Sequence, residues 1–141
     1  MSATVAIISG LFMSVQGVWN TALRGAVGMW FTNTLTHGVG FIVSLIALAY
    51  ARDADITGLK AVNKMYLLGG VLGVGIVYTV IASIAKLGPA KATMIILITQ
   101  MTASYLIELF GLFGMEKGSF SFVKLSGIAI ILLGIIVFQH Q

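Results

Sequence analysis

The sequence predicts an all-α membrane protein with five transmembrane helices. The chain has 141 residues, of which 59% are hydrophobic and 9% are charged, and its mean hydropathy is +1.07. Soluble proteins carry about 25% charged residues, so this chain has too little charge to cover a surface that faces water. It contains no cysteine, which excludes disulfides and thiolate metal sites. We therefore place the chain in the lipid bilayer as a multi-pass protein.

Five apolar stretches predict the helices, since a helix needs about 20 apolar residues to cross the hydrocarbon core. The first stretch lacks a basic segment before it and a cleavage motif after it, so we expect a retained helix rather than a signal peptide. It ends at Arg24 and Gly25, and Pro89 suits the first turn of the fourth helix, where its missing N–H is not needed. The predicted spans form a single domain and cover residues 3–23, 26–51, 65–85, 92–114 and 121–140.

The basic residues predict a weak preference for one orientation. Five spans place the termini on opposite sides of the membrane, which we call side A for the N-terminus and side B for the C-terminus. The side of a membrane protein that carries more basic residues tends to face the cytoplasm. Here side A carries five basic residues and side B carries three. We expect the chain to insert both ways round, with a cytoplasmic N-terminus if it takes only one orientation. Side A receives Arg52, Lys60, Lys64, Lys117 and Lys124, and side B receives Arg24, Lys86 and Lys91.

Five helices make a thin bundle, which is poorly suited to enclosing a substrate alone. Many transporters join two repeats of inverted topology, with the substrate site between the repeats near the midplane. A five-span chain with little orientation bias achieves the same arrangement as an antiparallel homodimer, which we predict here. A parallel dimer and a hetero-pair with an oppositely oriented partner stay open as alternatives.

Polar residues recur four apart on three of the spans, a spacing that stacks side chains on one helix face. The helical rise of about 1.5 Å per residue gives the depth of each residue in the membrane. By this estimate the polar side chains lie at two depths, one near the midplane and one nearer side B. Amides in lipid need hydrogen-bond partners, so we predict a cavity that binds a substrate, with purely interhelical hydrogen bonds as the alternative. The midplane level contains Gln16, His37 and Gln100, and the level nearer side B contains Asn20 and Asn33; Ser104 follows Gln100 on the fourth span.

Glu108 is the only acidic residue inside an apolar run. An ionisable group within a membrane costs roughly 3 kcal/mol or more, and such groups mark transport paths. From the helical rise, Glu108 lies roughly 9 Å from the midplane towards side A. An inverted second copy would therefore bring its own Glu108 to the level of Asn20 and Asn33. We predict that Glu108 is the coupling carboxylate. The alternative is that Glu108 only reaches the headgroups near the end of its helix.

The tryptophans, His37 and the glycines of the third span have further candidate roles. Trp19 is a candidate for a cation-binding wall, whereas Trp30 suits the membrane interface. His37 is a candidate proton carrier, or a neutral histidine in a hydrogen-bonded core. The glycines of GGVLGVG, with Gly69 and Gly73 four apart, predict a close helix-packing face. We predict no metal site, no cofactor, no enzymatic activity and, because the basic residues are scattered, no nucleic-acid partner.

Two motifs carry a family resemblance. The run GLFMSVQGVWNTALRGAVG resembles the opening of the short YdcZ-type exporters of the bacterial inner membrane, in the drug/metabolite transporter superfamily. The segment TQMTASYLIELFGLFG is similar to their fourth helix, with Glu108 where that family usually has aspartate. The resemblance implies a five-helix half unit that pairs in antiparallel fashion, as a homodimer, a hetero-pair or a fused ten-helix protein.

The resemblance also implies kinship with the small multidrug resistance transporters, which depend on a glutamate in the first helix. This chain has no glutamate there, so their exchange of protons for cations does not carry over directly. Our leading hypothesis is a secondary transporter that exports a small organic solute by alternating access in an inverted dimer, with protons as a candidate coupling ion. A dual-topology ion channel and a non-transporting membrane subunit are the alternatives.

Overall fold

The computed structural model describes residues 2–51 and 62–139, and this part of the chain is built from helices. Two short 3-10 turns, Lys64–Leu68 and Leu112–Gly114, precede the third helix and follow the fourth. The first four helical segments are long and apolar enough to span a membrane, and the fifth is shorter. The prediction of an all-α protein with five helices is confirmed. The helices are α1 (Ser2–Val27), α2 (Met29–Ala51), α3 (Gly69–Leu87), α4 (Pro89–Phe110) and α5 (Phe122–Gln139).

The first two helices meet at Gly28 rather than at the predicted break after Arg24. Gly28 has a φ of 85°, a left-handed conformation that glycine adopts without a steric penalty. Arg24 lies in the last turn of α1, where its positive charge interacts favourably with the negative end of the helix dipole. Nothing in Arg24 or Gly25 ends the helix, so α1 continues until the backbone reverses direction.

The fourth helix begins as predicted and ends earlier. Pro89 occupies the first turn of α4. Gly111 caps the other end in a left-handed conformation with φ of 63°, and its N–H points to the carbonyl oxygens of Ile107 and Glu108. The predicted span reached residue 114, but residues 112–114 form a separate turn. Glu108 therefore lies in the last turn of its helix. Residue 140 of the predicted fifth span lies outside the described residues, as do Arg52 and Lys60 of the predicted charge map.

The chain divides into two compact units, Met1–Lys86 and Leu87–Gln141. In the first unit, close packing is confined to the half nearer side B, because residues 3–16 of α1 and 38–51 of α2 are all exposed. Lipid tails solvate exposed apolar side chains as well as other helices do, so this exposure suits a membrane protein. The buried residues of the unit are Gly17, Asn20, Thr32, Asn33, Ile81 and Ile84.

Two glycines allow helices of the first unit to approach closely. A Cβ atom on Gly17 would lie 2.8 Å from Ile84 Cδ1, so α1 packs against α3 at this point. A Cβ atom on Gly73 would lie 3.4 Å from His37 Nε2, whereas one on Gly69 would meet nothing within 4 Å. Of the two glycines in the predicted packing face, only Gly73 has a neighbour on another helix, so the packing face stays a prediction.

The second unit is a hairpin of α4 and α5 with a small apolar core. Ile98 and Tyr105 on α4 pack with Ile128 and Ile135 on α5. Each pair is separated by two helical turns, so each helix contributes one face. Met94 and Ile131 pack against the edge of this core.

Substituting Gly17 tests the α1–α3 contact. Gly17→Leu should destabilise the protein by about 1–3 kcal/mol, because a larger side chain must displace Ile84. The measurement is unfolding in detergent micelles. Gly10→Leu is the matched control on the same helix, since no atom lies within 4 Å of its Cβ position, and it should change stability by less than about 0.5 kcal/mol. Equal stability of the two variants would contradict the contact.

Candidate functional site

A hydrogen-bonded group of polar side chains lies where the three helices of the first unit pack together. We call it the amide cluster, and it consists of Asn20 on α1 and Asn33, Thr36 and His37 on α2, with the main-chain oxygen of Val74 on α3. Asn20 is 9% exposed and Asn33 is 2% exposed. Burial this deep in an apolar bundle requires hydrogen-bond partners, and the neighbouring helices supply them.

Asn33 connects α2 to α3. Its Nδ2 donates a hydrogen bond of 2.9 Å to the main-chain oxygen of Val74, which has a second lone pair available beside its helical hydrogen bond. One turn nearer side B, the Trp30 ring stacks on the Tyr78 ring with 5.1 Å between centroids and a tilt of 33°. The two contacts together fix the antiparallel register of α2 and α3.

Asn20 connects α1 to α2 through Thr36. The Thr36 hydroxyl lies 3.0 Å from Asn20 Oδ1 and 2.9 Å from the main-chain oxygen of Thr32, so its single hydrogen serves two acceptors. Sequence reasoning missed Thr36. Asn20 and Thr36 lie equally far along the chain from Gly28, so a hairpin centred on that glycine places them opposite each other. The correct hairpin centre was the signal that would have found Thr36.

His37 is held by its own helix. Its Nδ1 lies 3.0 Å from the main-chain oxygen of Asn33. A carbonyl oxygen only accepts hydrogen bonds, so Nδ1 carries the hydrogen and Nε2 keeps a lone pair. The ring is half-buried, and Nε2 faces the α3 backbone at Gly73. A Cβ atom at that position would contact Nε2 at 3.4 Å.

The polar residues that lie four apart on α1 differ in their exposure. Asn20 is buried, Arg24 is half-buried and Gln16 is exposed. The reason is that α1 packs closely only in its half nearer side B, which begins at Gly17, and the Gln16 side chain points away from the packed face. Trp19 points away from the packed face and is 72% exposed. Substrate binding by Gln16 and Trp19 stays a prediction.

The predicted residues of α4 belong to the second unit. Gln100 and Ser104 are both exposed, and neither makes a side-chain hydrogen bond within the described part of the chain. Their hydrogen-bonding groups are free for a substrate or for another subunit. The predicted shared level of Gln100 with Gln16 and His37 stays a prediction.

Glu108 forms an ion pair with Lys124, which stands near the start of α5. Lys124 Nζ donates a hydrogen bond of 2.7 Å to Glu108 Oε1, and the two side chains are 49% and 47% exposed. Because α4 ends at Phe110, Glu108 lies about 13 Å from the helix centre rather than the predicted 9 Å. This depth is close to the edge of a hydrocarbon core that extends about 15 Å from the midplane. The position agrees with the alternative interpretation, in which Glu108 lies near the membrane surface.

The turn between α4 and α5 is built around this ion pair. The main-chain oxygen of Glu108 accepts a hydrogen bond of 2.8 Å from the N–H of Gly118. The Tyr105 hydroxyl accepts one of 3.0 Å from the N–H of Ser121, and the Tyr105 ring lies 5.8 Å from Lys124 Nζ. Sequence reasoning missed the role of Lys124, although Lys124 and Glu108 were both assigned to side A and carry opposite charges.

Comparison with known proteins identifies the family. A family model described as "Putative inner membrane exporter, YdcZ" matches residues 1–137, which is nearly the whole chain and includes both motifs of the resemblance. Searches of curated proteins and of solved structures found no significant match. The apolar helices of spanning length agree with a multi-pass protein of the inner membrane. With its five helices and its match over almost the full length, this chain belongs to the YdcZ family of inner-membrane exporters.

Proposed function

We propose that this protein is a secondary-active transporter that exports a small organic solute by alternating access, and that it works as an antiparallel homodimer. The observation that carries the proposal is the amide cluster, a set of polar side chains held between apolar helices in a member of an exporter family. A cluster used only for packing would need no spare hydrogen-bonding capacity.

The amide cluster has such capacity. Within the described part of the chain, the Asn20 NH₂ group and Asn33 Oδ1 make no hydrogen bond. No fully buried side-chain nitrogen or oxygen atom among the described residues lacks a partner, so these groups reach accessible surface. They offer donors and an acceptor to a solute, which is how small-molecule sites fix the orientation of a ligand.

In the proposed dimer, a second copy rather than lipid covers the halves of α1 and α2 nearer side A, and a route to the cluster runs along them. Close packing of α1 and α2 begins at Gly17 and ends at His37, and the halves of both helices nearer side A are exposed. The cluster therefore lies at the inner end of an unpacked region that faces side A. A transport cycle would require an equivalent opening towards side B, and an inverted second copy supplies one by symmetry. This argument supports the antiparallel arrangement over a parallel one.

Dual insertion is tested by cysteine labelling, because the chain has no native cysteine. Met115→Cys places a single thiol in the exposed turn after α4, on side A, and Ala26→Cys is the matched variant on side B. We expect an impermeant maleimide to label roughly half of each variant in intact spheroplasts and the rest after permeabilisation, because weakly biased proteins insert both ways. Complete labelling of one variant and none of the other would contradict the homodimeric inverted arrangement.

Coupling by Glu108 is tested against the structural role of its ion pair. In proteoliposomes, the solute that most raises the melting temperature in a ligand screen should show saturable, counter-solute-dependent flux. Glu108→Gln should abolish the coupling while leaving the fold intact. Lys124→Met is the matched control: it breaks the same half-exposed ion pair, should cost less than about 1 kcal/mol of stability, and should keep the coupling.

Three outcomes of this experiment would contradict parts of the proposal. Wild-type coupling in Glu108→Gln would remove the carboxylate from the mechanism. Equal loss of coupling in the Glu108→Gln and Lys124→Met variants would show that the ion pair matters only for structure. Flux that does not saturate and carries current would identify a channel instead of a transporter.

A further inference from the structure

We infer that His37 Nε2 is the proton-binding atom of the amide cluster, and that a proton and a neutral solute compete for its lone pair. The inference rests on the proposed function and deepens it, because it names the coupled ion and the class of solute and adds His37 to Glu108 as a second group on which coupling depends.

The first step is the tautomer. A free imidazole exchanges its hydrogen between both nitrogens, and the hydrogen bond of one nitrogen decides the state of the other. Here the main-chain oxygen of Asn33 lies 3.0 Å from Nδ1 and can only accept a hydrogen bond. The neutral ring therefore presents Nε2 as a bare acceptor, which is the atom that takes up a proton.

The second step is access. Nε2 makes no hydrogen bond within the described part of the chain, and every fully buried side-chain nitrogen or oxygen there has a partner. Nε2 therefore reaches accessible surface. On α2, all positions from Gly38 towards side A are exposed, and Gly73 on α3 leaves the space in front of Nε2 free of a side chain.

The third step is the charge around the ring. The other charged or titratable side chains of the helices that pack here are Arg24, Tyr50, Tyr78 and Lys86, and α1, α2 and α3 contain no carboxylate. Arg24 and Lys86 lie in the last turns of α1 and α3, and Tyr78 stacks on Trp30. A cationic solute would meet no opposite charge on α1, α2 or α3. The unpartnered groups of the cluster suit a neutral molecule instead.

The fourth step is competition. The single lone pair of Nε2 either binds a proton or accepts one hydrogen bond from a solute hydroxyl or amide N–H. Protonation therefore expels the solute, and arrival of the solute requires that the proton leave. Each exchange returns Nε2 to its starting state, so no further reactant is needed. Such exclusion couples proton entry to solute exit, as an exporter requires.

The proton site is tested by ¹⁵N NMR of imidazole-labelled full-length protein in lipid nanodiscs, with His140→Gln to assign the two histidines. We expect the hydrogen of neutral His37 on Nδ1, and we expect Nε2 to gain a proton when the pH is lowered. Gly73→Ala places a methyl group 3.4 Å from Nε2 and should diminish this response. Gly75→Ala, which meets nothing within 4 Å, is the matched control. A neutral ring with its hydrogen on Nε2, or one that stays neutral throughout, overturns the inference.

The competition is tested by thermal stabilisation with a panel of neutral polyols and primary amides, and with carboxylates and quaternary ammonium ions for comparison. We expect neutral solutes to raise the melting temperature of the wild type at pH 8 and to lose this effect at pH 5. His37→Gln should show no such loss. Stabilisation only by charged solutes overturns the solute class, and stabilisation that persists at pH 5 overturns competition. If no solute stabilises the protein while the NMR result holds, the transporter proposal fails and the proton site stands.

Discussion

The hydrogen bond from Asn33 Nδ2 to the main-chain oxygen of Val74 is the contact on which the first unit depends. An amide in a bilayer has no water to bond with, and each unsatisfied polar group costs several kcal/mol. The bond therefore restricts α3 to positions at which one of its carbonyl groups faces Asn33. That register brings Trp30 onto Tyr78 on one side of the bond and His37 against Gly73 on the other. The hydrogen bond of the Asn33 amide therefore sets the positions of the other residues around the cluster.

The two kinds of polar contact in this protein each contribute little to its stability. Interhelical hydrogen bonds in membranes contribute about 0.6 kcal/mol on average, and half-exposed ion pairs contribute about 0–1 kcal/mol. Neither the Asn33 contact nor the Glu108–Lys124 pair accounts for the stability of its unit. Their effect is on geometry: the first sets a helix register, and the second orients the turn between α4 and α5.

The depth of an ionisable residue in the membrane determines how costly its charge is, as Glu108 and His37 show. A carboxylate in an apolar run is costly, which predicts a functional role for Glu108, yet α4 ends two residues later and Lys124 lies within hydrogen-bonding distance. Near the membrane surface, and with a cationic partner, that cost is largely removed. His37 lies nearer the centre of its helix, and its neutral form carries no charge to be solvated. A histidine can therefore remain in the membrane interior and still be available for protonation.

The membrane location, the all-α class with five helices and the family could all be predicted from the sequence, because these depend on composition, apolar length and local motifs. Asn20, Asn33 and His37 could be predicted as well, since polar residues in apolar runs are conspicuous. Which of the candidates meet depends on the packing of the helices: Asn20 reaches Thr36, Asn33 reaches the α3 backbone, and Gln16 stays exposed. These pairings depend on the hairpin centre at Gly28, and the surface position of Glu108 depends on the end of α4 at Gly111. A glycine ends a helix only where the chain adopts a left-handed conformation, and among 17 glycines composition alone does not show which ones do.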